Sequence, residues 1–302
     1  MRGFDRVWLH AGQRPAAVDA RLGAALAEGR LPPRLLYDSH AQAGRWLRYH
    51  DAWSPARLDP EVEALYPTVG GRKLNGRPLV SLGCGSGHKD RAISKAGGAR
   101  SYFAVDTSVA LAAGSAAAAS EAGLDARAVV MDLEAPGARE AFGKAPVVFV
   151  ALGLVPNFEL SALASALKTL LRPGDGLMVS ANLGAAEDPE ILAQYDNPEA
   201  RSWMMGGLIE LGLEPAALSV EVRGRGLDSV LSRVECRVRL RQEQPLRLPF
   251  FEDRWRAGFE FLAFFSQRLL RSGAAQRLSQ ALGLDLVDTA DTAVEGVYWF
   301  EV

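Results

Sequence analysis

The stretch Leu79–Lys89, Leu-Val-Ser-Leu-Gly-Cys-Gly-Ser-Gly-His-Lys, limits what this chain can fold into more than any other. Four residues suited to a buried strand run into glycines at alternate positions, Gly83, Gly85 and Gly87, and a helix-compatible segment, Asp90–Lys95, follows at once. Glycine allows a sharp turn at a strand end and lets a ligand approach the backbone with no Cβ in the way. Strand, glycine turn and helix in this order suit a phosphate or a nucleoside. The spacing is GxGxG, however, and the third glycine of a dinucleotide fingerprint would stand where His88 is, which weakens a nicotinamide reading.

Two later strand ends narrow the ligand. Tyr102-Phe103-Ala104-Val105-Asp106 is a short apolar strand closing on a carboxylate about twenty residues after the loop, where an acid can accept from both ribose hydroxyls. Ala128–Leu133 is a second apolar run that reaches an acid, Asp132. Glycine-rich, acidic and acidic strand ends in succession resemble the class I S-adenosylmethionine-dependent methyltransferases. The resemblance implies S-adenosylmethionine as cofactor, with Gly83, Gly85 and Gly87 against its methionine part, Asp106 on the ribose and Asp132 at the adenine. Ser81 departs from the pattern, since such enzymes usually carry Asp or Glu there.

At 302 residues the chain exceeds one average domain of about 150 residues, so two units are expected. Pro78–Asp175 alternates short apolar strands with helical stretches, the pattern of a parallel α/β sheet. Val109–Ala122 and Leu160–Leu171 read as helices, Pro146–Leu154 as a central strand buried on both faces, and Leu177–Asn182 as a further strand. The strand end at Gly153–Asn157 falls where ligands bind in open α/β sheets, which makes Asn157 a site candidate.

After about residue 190 the rhythm changes. Glu199–Leu211 reads as a helix; Leu218, Val220 and Val222 alternate with polar residues. Val234–Leu240 alternates against Arg233, Glu235, Arg237, Arg239 and Arg241, as a strand with one face in water. Arg268–Gly283 has helical spacing with a glycine stop, and Val297–Val302 reads as a closing strand. Upstream, a helix at Val18–Gly29 leads into two aromatic-plus-proline elements around Tyr37 and Trp53, which either line a pocket or pin this segment to the core. The expected architecture is a class I Rossmann-like α/β domain at 61–190 with an α+β substrate domain made from 1–60 and 191–302.

A net charge of −2 offers no basic excess for a nucleic-acid partner, so a small molecule is the default ligand. Cys84 and Cys236 form neither a disulfide framework nor a metal spacing. His10, His40, His50 and His88 include no helical metal pair, so no metal is expected, and His88 reads as a solvated loop residue. Met1–Pro15 lacks an apolar leader core, and the longest apolar run, Ala145–Val155, is too short to span a bilayer. A soluble, cytoplasmic protein is expected.

Several stretches in the same order resemble the histidine Nα-methyltransferase of ergothioneine biosynthesis and its relatives, among them N-methyltransferases of prenylated tryptophan. They are Leu31-Pro32-Pro33 with Tyr37-Asp38, Trp53-Ser54-Pro55 in place of Tyr-Tyr-Pro, the glycine loop with Lys89, Val105-Asp106, Gly153 with Asn157, Leu171 with Pro173-Gly174-Asp175, Gln194-Tyr195-Asp196, and Ser266. The resemblance implies that Lys89, Asp106, Asp132, Leu133 and Gly153 serve the cofactor. It also implies that Asn157 and Tyr195 hold the α-amino and carboxylate groups of an amino acid, that Trp53 closes the pocket, and that Tyr37 sits near the cofactor. Without it, Asn157 reads as a strand-end turn and Tyr195 as a packed aromatic between the two units.

Phe264 is the informative departure. In the histidine enzyme an acid two positions before the serine matching Ser266 holds the imidazole, and here that position is Phe264. A buried carboxylate that recognises a ring N–H discriminates strongly, and its loss removes that partner. Free histidine is therefore not the expected acceptor, and Phe261, Phe264 and Phe265 suit either a more apolar or aromatic side chain or simply the core. Methyl transfer from a sulfonium is an in-line displacement that needs orientation and a free lone pair rather than a strong base. The expected function is S-adenosylmethionine-dependent N-methylation of a small amino acid or related amine. The alternative is a non-catalytic S-adenosylmethionine-binding protein of the same descent.

Overall fold

The computed structural model describes residues 7–133 and 138–302. In chain order its strands are β1 (Val7–Leu9), β2 (Leu79–Leu82), β3 (Ser101–Asp106), β4 (Asp125–Val130), β5 (Val148–Ala151), β6 (Gly176–Asn182), β7 (Leu218–Gly226), β8 (Leu231–Leu240), β9 (Gln244–Leu248), β10 (Phe251–Trp255), β11 (Glu260–Leu269), β12 (Leu286–Asp291) and β13 (Glu295–Glu301).

Eight of them form one sheet in the order β1-β4-β3-β2-β5-β6-β13-β12. From β1 to β6 every pairing is parallel, while β13 runs antiparallel to both β6 and β12. The apolar runs fit their places. All four residues of β2 and all four of β5 are buried, as parallel strands covered on both faces must be. In β13 the first six residues are buried, whereas β12 alternates half-buried and exposed positions, so the last strand of the chain sits inside the sheet and the preceding one takes the edge. Helices Leu160–Leu170 and Arg271–Leu282 cover one face, and Pro60–Lys73, His88–Gly97 and Val109–Glu121 the other. This is the class I Rossmann-like α/β arrangement. No helix among the described residues is long and apolar enough to cross a membrane.

The stretch 183–285 is inserted before the closing hairpin and carries a three-stranded antiparallel sheet, β11-β8-β7, and the hairpin β9-β10. Its core, built on Trp203, Met204, Cys236 and Phe261, also takes in Leu22, Leu26 and Leu35 from the N-terminal helices. The boundaries 1–60 and 191–302 therefore need correction: β1, β12 and β13 pair into the central sheet and do not belong with the inserted unit.

Three local expectations also change. Arg268–Gly283 is not one helix, because β11 pairs with β8 as far as Leu269 and the helix begins at Arg271. The arginine face of β8 is not all in water, since β8 is the middle strand of its sheet; Arg233 is buried over the Phe265 ring and pairs with Glu159, while Glu235 pairs with Arg225 and Arg237. His88 is the first residue of the helix His88–Gly97, half-buried and bonded to Glu63, so it is not a solvated loop residue.

Candidate active site

The carboxyl ends of β2 to β6 open into a cavity of about 720 Å³, roofed by the N-terminal helices and the inserted unit. On the sheet side stands the glycine loop, with backbone φ of +66° at Gly83, +52° at Gly85 and +64° at Gly87, a conformation that other residues adopt only under strain. Packing adds to the requirement: a Cβ on Gly85 would lie 2.7 Å from the Trp46 indole, and one on Gly87 would lie 2.1 Å from Ser115 Oγ. Gly83 and Gly85 border the cavity, while Gly87 caps the helix His88–Gly97 and is not on the cavity wall.

Asp106, at the end of β3, accepts from the Gly85 N–H at 3.3 Å and the Ser108 N–H at 3.0 Å. Burial raises its pKa to about 6, against the pull of those N–H donors. Asp132 stands two residues beyond β4, on the cavity wall with Leu133, its Oδ2 3.8 Å from Arg21 Nε. Lys89 points its ammonium over the Tyr66 ring, 4.4 Å from the centroid, and 3.8 Å from Glu295 Oε1.

At the end of β5, Gly153 has a φ of +81°, and Asn157 Nδ2 donates to its carbonyl at 2.8 Å. Asn157 thus fastens the turn and also lines the cavity. Across from it, Ser266 on β11 accepts from Tyr195 OH at 2.8 Å and from Asn182 Nδ2 at 3.2 Å. The Phe264 ring stacks on Tyr195 with centroids 6.0 Å apart and meets Trp203 edge-on at 5.0 Å. A register shift in β11 between Leu262 and Phe264 sets Phe264 opposite Cys236, two residues along β8 from Val238, the partner of Phe261, so that both rings lie on one face of the strand; Phe261 packs fully buried on Trp255, while Phe264 lines the cavity. Tyr37 lies between Trp46 and Trp203, and Trp53, half-buried, donates from Nε1 to Glu199 at 3.3 Å. Burial holds the Tyr37 and Tyr195 hydroxyls above the usual phenol range, so at neutral pH both are hydrogen-bond donors and not bases.

The same cavity is lined by residues not singled out from the sequence. Trp46, Tyr49 and His50 share with Trp53 one face of the helix His40–Trp53, a pattern at i, i+3, i+4 and i+7 that the sequence displays. Burial, with Lys89 and Arg57 nearby, lowers the His50 pKa to about 3, so its ring is neutral in the physiological range. Asp90 is buried one turn into the helix His88–Gly97, on the face that also buries Ile93 and Ser94. It accepts from Tyr102 OH at 2.7 Å and from Ser81, so a carboxylate reaches the neighbourhood of Ser81 from the helix instead of from the strand. Burial raises the Asp90 pKa against those hydrogen bonds.

Residues 79–174 match a family model described as a methyltransferase domain, a span that holds the glycine loop, Asp106, Asp132 and Asn157. No curated protein matches the chain. Among solved structures, an S-adenosylmethionine-dependent methyltransferase from Clostridium acetobutylicum is similar at 12% identity and a TM-score of 0.49, over 86% of this chain and 98% of that one. The glycopeptide N-methyltransferase MtfA complexed with S-adenosylmethionine is similar at 13% identity and a TM-score of 0.41, over 78% and 92%. A 1,6-didemethyltoxoflavin-N1-methyltransferase from Burkholderia thailandensis is similar at 14% identity and a TM-score of 0.40, over 87% and 88%.

The wall suits an adenosyl cofactor. Asp106, held by donors from Gly85, Ser108 and Thr107, presents a carboxylate on the cavity wall beside a loop whose glycines present bare backbone. From the strand order, this cavity and the matched domain, the chain is an S-adenosylmethionine-dependent methyltransferase.

Proposed function

We propose that the enzyme methylates the amino group of a small amino acid or related amine other than free histidine, and that it resembles the histidine Nα-methyltransferase family with an altered acceptor pocket. The observation that carries this reading is the composition of one cavity. The cofactor-side groups Gly83, Gly85 and Asp106 share it with Asn157, Tyr195 and the rings of Tyr37, Trp53 and Phe264. Phe264 leaves the wall with no acid to hold an imidazole at that position. The reading further assigns the enzyme to the cytoplasm and gives it no nucleic-acid partner.

In this proposal Asp106 holds the ribose, Asp132 and Leu133 border the adenine, and Lys89 with the glycine loop and Gly153 faces the methionine part. When bound, S-adenosylmethionine supplies an electrophilic methyl group on a sulfonium. Asn157 and Tyr195 orient the acceptor so that its amine lone pair faces that methyl in line, and Tyr37 fixes the cofactor edge. Trp53 and the other rings keep water out, which strengthens each polar contact left inside. No wall residue needs to act as a strong base, since an amine that enters neutral brings its own lone pair.

The test is a screen of purified enzyme with S-adenosylmethionine against the amino acids and their decarboxylated amines, read by mass spectrometry of the products. N-methylation of at least one acceptor, with none of histidine, is expected. Methylation confined to oxygen, sulfur or carbon would refute the reading. With the best acceptor, Asn157→Ala is expected to lower kcat/KM about 100-fold, the effect of losing one orienting contact at the reacting centre; an unchanged value removes Asn157 from the site. Cofactor affinity is also expected to depend on pH. The charged form of Asp106 is the one that accepts from ribose hydroxyls, so affinity is flat above about 6 and falls about tenfold by pH 5. Calorimetry at pH 5 and 7.5 checks this, and a slope that persists in Asp106→Asn would place the titrating group elsewhere.

A further inference from the structure

Among the described residues three arginines are buried: Arg139 at 4% exposure, Arg233 at 8% and Arg268 at 2%. Arg139 pairs with Asp175 and Arg233 with Glu159. Arg268 alone of the three has no acid within 4.0 Å among the described residues; its Nη2 donates to the Leu183 carbonyl, its guanidinium lies beside the Tyr195 hydroxyl, and its Nε has no partner. Yet it is not sealed in the core, for it lines the same cavity as Asn157 and Tyr195. A buried cation without an anion is costly even after the protein relaxes, and a backbone carbonyl with a neutral phenol does not offset that. Beside it on β11, Ser266 already accepts two hydrogen bonds, which leaves its own proton to donate. A fixed guanidinium and a hydroxyl donor next to an aromatic wall form a receptor for a carboxylate.

We propose that Arg268, with Ser266, binds a carboxylate of the acceptor, so that the acceptor is an amino acid or another acid-bearing amine and not a simple amine. This deepens the N-methyltransferase reading and rests on it for the word acceptor. The cofactor carries a carboxylate too, and the experiment must separate the two sources.

Full-length wild-type enzyme, Arg268→Met and Arg268→Lys are compared in two titrations at constant ionic strength. Benzoate and acetate, against chloride, are added to the enzyme preloaded with S-adenosylhomocysteine and followed by thermal melting and calorimetry. S-adenosylmethionine is titrated separately. Saturable carboxylate binding is expected in the wild type, weakened about 30-fold in Arg268→Met, partly restored in Arg268→Lys, with cofactor affinity within twofold of wild type. Equal carboxylate responses in all three proteins, including no response at all, would show Arg268 to be structural. A cofactor affinity lowered tenfold or more in Arg268→Met would assign the anion to the cofactor. Either result overturns the proposal. Should Arg268→Met fail to fold, Arg268→Lys decides by the same two titrations. The amine screen fails separately: carboxylate binding through Arg268 with no amine methylated would refute N-methylation and leave the Arg268 site standing.

Discussion

Asp106→Ala is expected to weaken S-adenosylmethionine binding by about 100-fold or more at pH 7.5. Hydrogen bonds to a charged acceptor contribute about 1.5–3 kcal/mol each, and a ribose offers Asp106 two donors. The ligand-free protein should not suffer in proportion. Burial raises the Asp106 pKa to about 6, above its unfolded value, so the folded state binds the proton more tightly. The stability this contributes is fully present below about pH 4 and is lost as pH rises through about 6. At pH 7.5 the free enzyme thus holds a charged, partly desolvated carboxylate at a cost, and Asp106→Asn is expected to melt no lower than wild type while binding the cofactor as poorly as Asp106→Ala. Calorimetry and thermal melting together check the pair; cofactor affinity within threefold of wild type in Asp106→Ala would remove Asp106 from the ribose site.

The largest expected loss of stability lies away from the cavity. Asp175 is fully buried in the turn before β6 and accepts from the Val147 N–H at 2.9 Å, the Arg172 N–H at 2.9 Å and Arg139 Nη2 at 3.2 Å. It ties the start of β5, the end of the helix Leu160–Leu170 and the segment around Arg139 to one point. Asp175→Ala leaves Arg139 buried without its anion and two backbone N–H groups without acceptors. Breaking a buried pair from one side costs about 3–5 kcal/mol. Urea unfolding should show a midpoint shift of that size, with the cofactor affinity of the surviving folded fraction unchanged. A loss below about 1 kcal/mol would mean that the Gly143 and Ala145 carbonyls, which Arg139 also reaches, hold it unaided.

Much of the proposed cofactor half was legible because its determinants are local. The glycine run, Asp106 and Asp132 announce themselves by strand periodicity and by residues that tolerate positive φ, and both act over a few bonds of chain. The face of the helix His40–Trp53 that carries Trp46 and His50 was written in the same short-range code, although Tyr37 and Trp53 drew attention first. Less visible was Asp90, a charge on an otherwise amphipathic helix whose burial depends on Tyr102 and Ser81 from two strands.

The proposed acceptor half is assembled from afar. Tyr195 and Ser266 meet across 71 positions of sequence, and Asn182 and Ser266 across 84. Which face of β11 carries Phe264 turns on a single register shift, which sets it opposite Cys236. Arg268 looked helical because its spacing to Gly283 is helical, but pairing of β11 with β8 carries the strand past it and turns its guanidinium into the cavity. The sequence by itself determined the parallel sheet, the glycine loop and the acids at its strand ends, because backbone sterics and side-chain periodicity are fixed by near neighbours. Only the tertiary structure decided that the last strand enters the sheet beside β6, that the unit inserted after β6 folds over the strand ends, and which buried arginine among the described residues has no acid beside it, because strand pairing and desolvation are set by residues that the chain brings together only when it is folded.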